Sequence, residues 1–246
     1  MGLVETEAIV LRTYNLSEAD KIVVCLTRSA GVVRAVARGA RRLKSRFGAS
    51  LEPSTLLNLS YYEKEGRELV SLRHAEILRS YFSLSQSTEA VVSLAYMSEL
   101  IIEFVPPHEP NERFFRMVRA CVEALADSPM DQQAVVRYFE IWTLKLAGFL
   151  PDMHLCAGCG ERLGRERETI YLNSECRPHC QACSDGLGTA LSGEAYEQLR
   201  AIRRLSPHEF ARTSRGASTH QEIAQVARRL IGRVLEKELR AQAALT

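Results

Sequence analysis

The sequence predicts an α+β multidomain protein: a five-stranded N-terminal barrel, then an α-helical domain with an inserted four-cysteine metal module. Three observations predict it. Residues 1 to about 80 hold five short segments rich in Val, Ile and Leu, punctuated by Gly, Pro and Ser. From about residue 83 the apolar residues recur instead at the three-to-four-residue spacing of amphipathic helices. Five of the seven cysteines crowd into Cys156–Cys183. The chain is therefore read as a barrel over 1–80, a helical bundle over 81–152, a metal module over 153–188, and C-terminal helices over 189–246 that complete the helical domain.

Within the barrel, Glu7–Thr13 and Lys21–Arg28 are the first two strands, and Val32–Arg38 returns after a turn at Gly31. Strand period 2 places Arg34, Val36 and Arg38 on one face, with Val33, Ala35 and Ala37 on the other. Thr55–Tyr62 and Glu68–His74 form a second hairpin around Glu65-Gly66. Tyr61 and Tyr62 are adjacent, so only one of them can point inward.

Charge gives this region its meaning. Lys21 to Leu51 carries eight basic residues and no acid, so a chain whose total is +2 leaves −6 for everything outside that window. Surface charges normally intersperse; a concentrated basic field implies a polyanionic partner, most simply nucleic acid phosphate. Arg34 and Arg38 belong to a strand, while Arg41, Arg42, Lys44 and Arg46 fall in the long connection Gly39–Glu52, expected to be a mobile flap that orders when DNA binds. A small barrel with such a loop suits the oligonucleotide/oligosaccharide-binding (OB) fold, which binds single strands in a basic groove. Phosphate contact is better supported than base stacking, since the aromatic candidates Phe47, Tyr61 and Tyr62 are also candidates for core.

Three central helices follow. The first carries Val91, Leu94, Ala95, Ser98, Ile101, Ile102 and Val105 on one stripe after capping candidates Ser87 and Thr88. The second, Glu112 to Ala126, has Phe115, Val118, Cys121, Val122 and Leu125. The third follows Asp131, a candidate cap, with Val135, Tyr138, Phe139, Trp142, Leu146 and Phe149. His108, between prolines, receives no role. Toward the C-terminus Ser192 caps a helix through Arg204, and Thr219-x-x-Glu222 reads as a capping box. The helix it opens carries Arg228, Arg229, Arg233, Lys237 and Arg240 off its apolar face, read as a solvated face or as a second DNA contact.

The cysteines run Cys156-x2-Cys159-x16-Cys176-x3-Cys180-x2-Cys183. A CxxC turn presents two thiolates to one ion, and two such turns complete the tetrahedral set of a structural Zn2+ site. Cys176 and His179 are further candidates. No run of ~18 apolar residues is present, so no membrane span is expected, and the acids of MGLVETEAIVLR do not fit a signal peptide. The expected compartment is the cytoplasm, where thiols stay reduced and bind metal rather than pair. His74-Ala75-Glu76 with Pro178-His179-Cys180 only superficially matches zinc deaminases, because it leaves Cys156 and Cys159 unexplained. With no phosphate loop, no nucleophile beside a base and no open metal position, enzymatic activity is not expected.

Ala8-Ile9-Val10-Leu11-Arg12, Ser17-Glu18-Ala19-Asp20-Lys21-Ile22-Val23, Leu26-Thr27, Gly31, Ala37-Arg38-Gly39-Ala40-Arg41-Arg42 and Lys44-Ser45-Arg46 before Leu51-Glu52-Pro53 resemble the bacterial recombination mediator family RecO. The resemblance implies an OB domain that binds single- and double-stranded DNA and a helical domain with a zinc module. It favours Cys156, Cys159, Cys180 and Cys183 as ligands, although Asn173–Pro178 stands where relatives often carry Gly-Gly, leaving an exchange of Cys176 for Cys180 open. By resemblance the partners are RecR, the C-terminal tail of single-strand-binding protein and, indirectly, RecA, with strand annealing as an outcome and a place at the nucleoid. An OB-fold RNA-binding protein with a zinc site, and a scaffold for an acidic protein surface, are the rival classes.

Overall fold

The structure, a computed structural model, describes residues 2–64, 66, 68–127, 132–164, 168–214 and 216–235. It divides into two compact units, the first running to Val122 and the second starting at Glu123.

In the first unit, β1 (Gly2–Asn15), β2 (Lys21–Thr27), β3 (Gly31–Ala37), β4 (Leu56–Glu63) and β5 (Leu69–Arg79) close a barrel in the order β1-β2-β3-β5-β4. All neighbours are antiparallel except β3 and β5, which pair in parallel from Arg34↔Leu69 to Val36↔Ser71. This is the five-stranded OB-like arrangement expected. β1 is longer than the Glu7–Thr13 read from sequence because it serves two partners. Gly2–Ile9 pairs with β4, Ala8–Asn15 pairs with β2, and a register shift between Val10 and Arg12 bends the strand from one to the other. The inner cluster takes alternate residues: Val23 and Cys25 of β2, Val33, Ala35 and Ala37 of β3, and Tyr61 of β4. Tyr61 is the inward tyrosine; Tyr62 faces out, its hydroxyl accepting from Arg73 at 3.1 Å.

α1 (Thr88–Phe104) lies on the outer face of the barrel: Ser98 Oγ donates to the Leu11 carbonyl at 3.3 Å, and Pro107, just beyond the helix, bridges to Gly31 and Val32. Gly31 is at φ 58°, and a Cβ there would strike the Pro106 and Glu109 carbonyl oxygens, so glycine is what admits this crossing. Ser87 caps α1, accepting from Ala90 N. The buried stripe is Ala90, Ser93, Met97, Leu100 and Ile101, with Tyr96 beside it. The stripe read from sequence holds only toward its C-terminal end, where Ile101 and Val105 are buried; Val91, Leu94, Ala95 and Ser98 instead line an open pocket of about 470 Å³ with Tyr81 and Phe82. α1 is apolar on two sides, and periodicity alone does not say which one is covered. In α2 (Glu112–Asp127), Phe115, Val118, Cys121, Val122 and Leu125 are buried as expected, and burial pushes the Cys121 thiol well up. His108, left without a role, pairs with Glu63 at 3.0 Å.

The second unit holds α3 (Gln132–Leu146), β6 (Ile170–Leu172), β7 (Pro178–His179), α4 (Gln181–Ser184), β8 (Thr189–Leu191), α5 (Gly193–Ile202), α6 (Pro207–Thr213) and α7 (Ala217–Leu235). α3 packs on α5, α6 and α7 and is buried on nearly every side, including Arg137 and Glu140, which pair at 3.2 Å without the alignment of a hydrogen bond. Trp142 Nε1 donates to the Ile202 carbonyl at 2.8 Å, and Tyr138 OH to Leu205 O at 3.1 Å. A single apolar stripe on this helix was therefore too narrow a reading. Phe149 leaves the expected core, at 48% exposure, because Leu146 ends the helix and Gly148 turns the chain at φ 80°. Ser192 caps α5 as expected. The predicted box at Thr219 is not one: α7 begins at Ala217, and Glu222 instead accepts from Ser192 N at 2.6 Å and Ser192 Oγ at 2.9 Å. The capping box is Ser206 with Glu209, opening α6, a helix the sequence reading missed. Glu65, Asp131, Lys237 and Arg240 lie outside the described residues.

Candidate nucleic-acid interface and metal centre

The basic segment is built by two loops that meet. The β1–β2 loop, Leu16–Asp20, is closed by Leu16 N donating to Asp20 O at 3.0 Å and by Ser17 Oγ accepting from Asp20 N at 3.1 Å. This presents the Asp20 carboxylate to Gly39 N at 2.8 Å, while Arg41 N donates to Ala19 O at 3.0 Å and Arg41 Nη1 to Ser17 O at 2.6 Å. The Ser17–Lys21 and Ala37–Arg42 motifs are thus one structural unit, joined by hydrogen bonds across 19 or more residues of sequence.

The far end of the connection is anchored as well. Phe47 and Leu51, at 4% and 3% exposure, belong to the inner cluster, where burying such a side chain is worth roughly 1.5–3 kcal/mol, several times RT. Arg46 lies 4.8 Å from the Phe47 ring centroid and donates to Leu72 O at 3.3 Å. The segment expected to be a flap ordering only with DNA is therefore pinned at both ends to the free barrel. Its basic side chains nevertheless stand out. Arg34, Arg38, Arg41, Arg42, Lys44 and Arg46 are all exposed, and none forms an ion pair among the described residues. By contrast Arg28, two residues beyond β2's apolar run, is tied to Glu7 and Glu112, which raise its pKa. Six exposed cations with no ion pair among the described residues concentrate positive charge on this part of the barrel.

Sequence reasoning missed an exposed aromatic on the same face. Tyr14 of β1 is 45% exposed, with the Arg12 guanidinium 5.2 Å from its ring centroid. Its signal was present as the alternation Arg12-Thr13-Tyr14, but a strand ended at Thr13 left it in a loop.

In the second unit, Cys156–Cys159 and Cys180–Cys183 bring four sulfurs together, all within 4.8 Å of one another. The Cys156–Cys180 and Cys159–Cys180 separations are 3.8 and 3.9 Å. A tetrahedral ion with bonds of ~2.3 Å to sulfur needs edges of ~3.8 Å, so this group could hold a metal ion. Each turn aims backbone N–H groups at sulfur: Gly158 N and Cys180 N donate to Cys156 Sγ at 3.4 and 3.3 Å. Burial alone would raise the Cys156 thiol, but donation from the Cys159, Cys180 and Gly158 backbone outweighs it and brings the pKa down to about 6. Cys183, hydrogen-bonded to three neighbouring thiols, is pushed up to about 12. Four sulfurs so close cannot all carry charge without a cation between them. Cys176 lies elsewhere, fully buried at φ 58° and held above the ordinary thiol value by burial, with Arg229 and Arg233 opposing. His179 turns Nδ1 to the Arg177 carbonyl at 3.1 Å. Arg229 donates to Thr189 Oγ1 at 2.6 Å and Arg233 to Ser174 O at 3.0 Å, so these α7 arginines hold the cysteine hairpin rather than face solvent unpartnered.

An OB-like barrel with an exposed basic segment, followed by a helical unit carrying a four-thiol group, defines the class: OB-like barrel proteins with a cysteine group that could hold a metal ion. The profile described as "Recombination protein O N terminal" matches residues 1–81, and "Recombination protein O C terminal" matches residues 85–243. The chain is similar to the DNA repair protein RecO of Koribacter versatilis (strain Ellin345), 33% identical over 242 residues, 96% of this chain and 94% of that one. It is also similar to those of Anaeromyxobacter sp. (strain K), at 34% over 83% of this chain and 80% of that one, and Symbiobacterium thermophilum, at 28% over 96% and 93%. The chain belongs to the RecO family of DNA repair proteins. No helix among the described residues is long and apolar enough to cross a membrane.

Proposed function

We propose that this chain is a non-enzymatic mediator of recombinational repair, working on DNA in the cytoplasm at the nucleoid. It binds single- and double-stranded DNA through Arg34, Arg38, Arg41, Arg42, Lys44 and Arg46. The observation that carries this reading is that all six are exposed and none forms an ion pair among the described residues. Phosphates displace the counterions such a field would otherwise condense, so affinity falls steeply with salt. Neutralising the phosphates of two strands lowers the repulsion between them, which supports annealing of complementary strands without ATP. Family membership supports RecR and the tail of single-strand-binding protein as partners and RecA loading as the outcome.

Cys156, Cys159, Cys180 and Cys183 hold one Zn2+ in this reading, since an all-thiolate tetrahedral set suits zinc. When bound it supplies structural closure; four thiolates fill its coordination and leave no place for a reacting water. Beside them, Arg229 and Arg233 of α7 tie that helix to the β6–β7–β8 sheet through Thr189 and Ser174.

The deciding experiment compares binding to single-stranded DNA, RNA and an acidic peptide over a salt series, together with annealing of complementary strands coated with single-strand-binding protein. Accelerated annealing and DNA binding tighter than RNA are expected. Equal or tighter RNA binding would favour an RNA-binding role, and binding to the peptide alone a protein scaffold.

A further inference from the structure

The outer face of β1, β2 and β3 runs from a covered end to an open one. Because Val23, Cys25, Val33 and Ala35 point into the core, their neighbours Ile22, Val24, Arg34 and Val36 point out. Three cross-strand rows follow from the register. Ile9–Leu26–Val32 is buried, on the side where α1 and Pro107 lie. Arg12–Val24–Arg34 comes next, an apolar centre between two guanidiniums. Tyr14–Ile22–Val36 is last and uncovered: Tyr14 is 45% exposed, and Ile22 and Val36 are half-buried. Arg38, read from the sequence as a strand residue, instead lies in the turn just past the end of β3 at Ala37, and leads into the loop pinned back to Ser17 just past Tyr14.

We propose that the Tyr14–Ile22–Val36 row is a base-stacking platform that selects single strands over duplex. This rests on the nucleic-acid reading above and adds to it. The charge frame says what the occupant is. An apolar row bounded by Arg12 and Arg34 on one side and Arg38 on the other fits a ligand that alternates flat apolar rings with anions at short spacing. A single nucleic acid strand has that chemistry, and aromatic platforms in basic grooves hold its bases by their π-faces. Arg12 contacts the Tyr14 ring at 5.2 Å and so orients it, and no carboxylate pairs with Arg12 among the described residues. A duplex keeps its bases stacked inside and offers only phosphates, so it engages the same cations without reaching Tyr14. The cations set affinity for both forms; the platform separates them.

The test measures binding of oligo(dT) and of a duplex of equal length by wild type, Tyr14→Ala, Tyr14→Phe and a variant with Arg38, Arg41, Arg42 and Lys44 all changed to Ala. Tyr14→Ala should bind oligo(dT) about 10-fold more weakly with the salt slope and duplex affinity unchanged, and Tyr14→Phe should bind as wild type. Tyr14→Trp should show fluorescence quenched by oligo(dT) and not by duplex, over the constant signal of Trp142. Wild-type oligo(dT) binding by Tyr14→Ala, or equal loss for both DNA forms, would overturn the platform. If the four-fold variant also bound oligo(dT) like wild type, the nucleic-acid reading itself would be wrong; if it alone lost binding, that reading would stand without the platform. An acidic peptide displacing oligo(dT) without quenching Tyr14→Trp would likewise count against stacking.

Discussion

Changing Arg38, Arg41, Arg42 and Lys44 together to alanine tests the basic edge most directly. The four side chains are exposed and form no ion pair among the described residues, so their removal leaves no buried charge behind. The substitutions remove the hydrogen bond from Arg41 Nη1 to Ser17 O, while the loop keeps Gly39 N on Asp20 and Phe47 in the core. Stability should therefore change by less than about 1 kcal/mol. DNA binding should change far more. Each phosphate contact to a single strand contributes about −0.7 to the slope of log K against log salt concentration. At 0.15 M salt that is about 0.6 of a decade per contact, so four contacts amount to roughly 200-fold, with the slope shallower by about 2.8. Fluorescence anisotropy of a labelled oligo(dT) from 0.05 to 0.3 M salt, beside a urea titration, measures both. An unchanged slope would place the phosphates elsewhere on the molecule; a large loss of stability would show that these residues support the barrel.

Three further outcomes follow from other parts of the structure. Cys156→Ser should abolish stoichiometric zinc, read by elemental analysis, because it removes the sulfur that receives the Gly158 and Cys180 N–H groups; retained metal would refute the ligand set. Gly31→Ala should destabilise the first unit by about 2 kcal/mol or more, since the residue sits at φ 58° with carbonyl oxygens where Cβ would go, and a chemical denaturation midpoint equal to wild type would contradict that crossing. Glu209 is held below the usual carboxylate pKa by hydrogen bonds from Ser206 N–H and Oγ–H. Its contribution is fully present above the unfolded carboxylate pKa and fades as pH falls through the lowered folded value. Glu209→Gln should flatten the dependence of thermal stability on pH in that acidic range, and an identical pH profile would show that the cap does not titrate.

What the sequence determined by itself was local. Alternation of Val, Ile and Leu marks strands because side chains on a strand repeat every two residues, so the inward set Val33, Ala35 and Ala37 was legible without coordinates. CxxC spacing marks a metal knuckle because both sulfurs arise from one turn, and the four sulfurs are together. The clustering of cations needed only counting. What the tertiary structure decided depends on residues far apart in the chain. Which side of α1 is covered, and that α3 is enclosed to the point of burying Arg137 and Glu140, depend on what packs against each helix. Glu222 had a plausible local partner in Thr219, yet bonds Ser192, 30 residues away. The loop read as a free flap is pinned by Asp20 and Phe47, one from the preceding hairpin and one through the barrel core. Tyr14 joins a cross-strand row only when strand register lays it in line with Ile22 and Val36. Periodicity tells which face a residue shares with its neighbours in sequence; only the folded chain tells what that face meets.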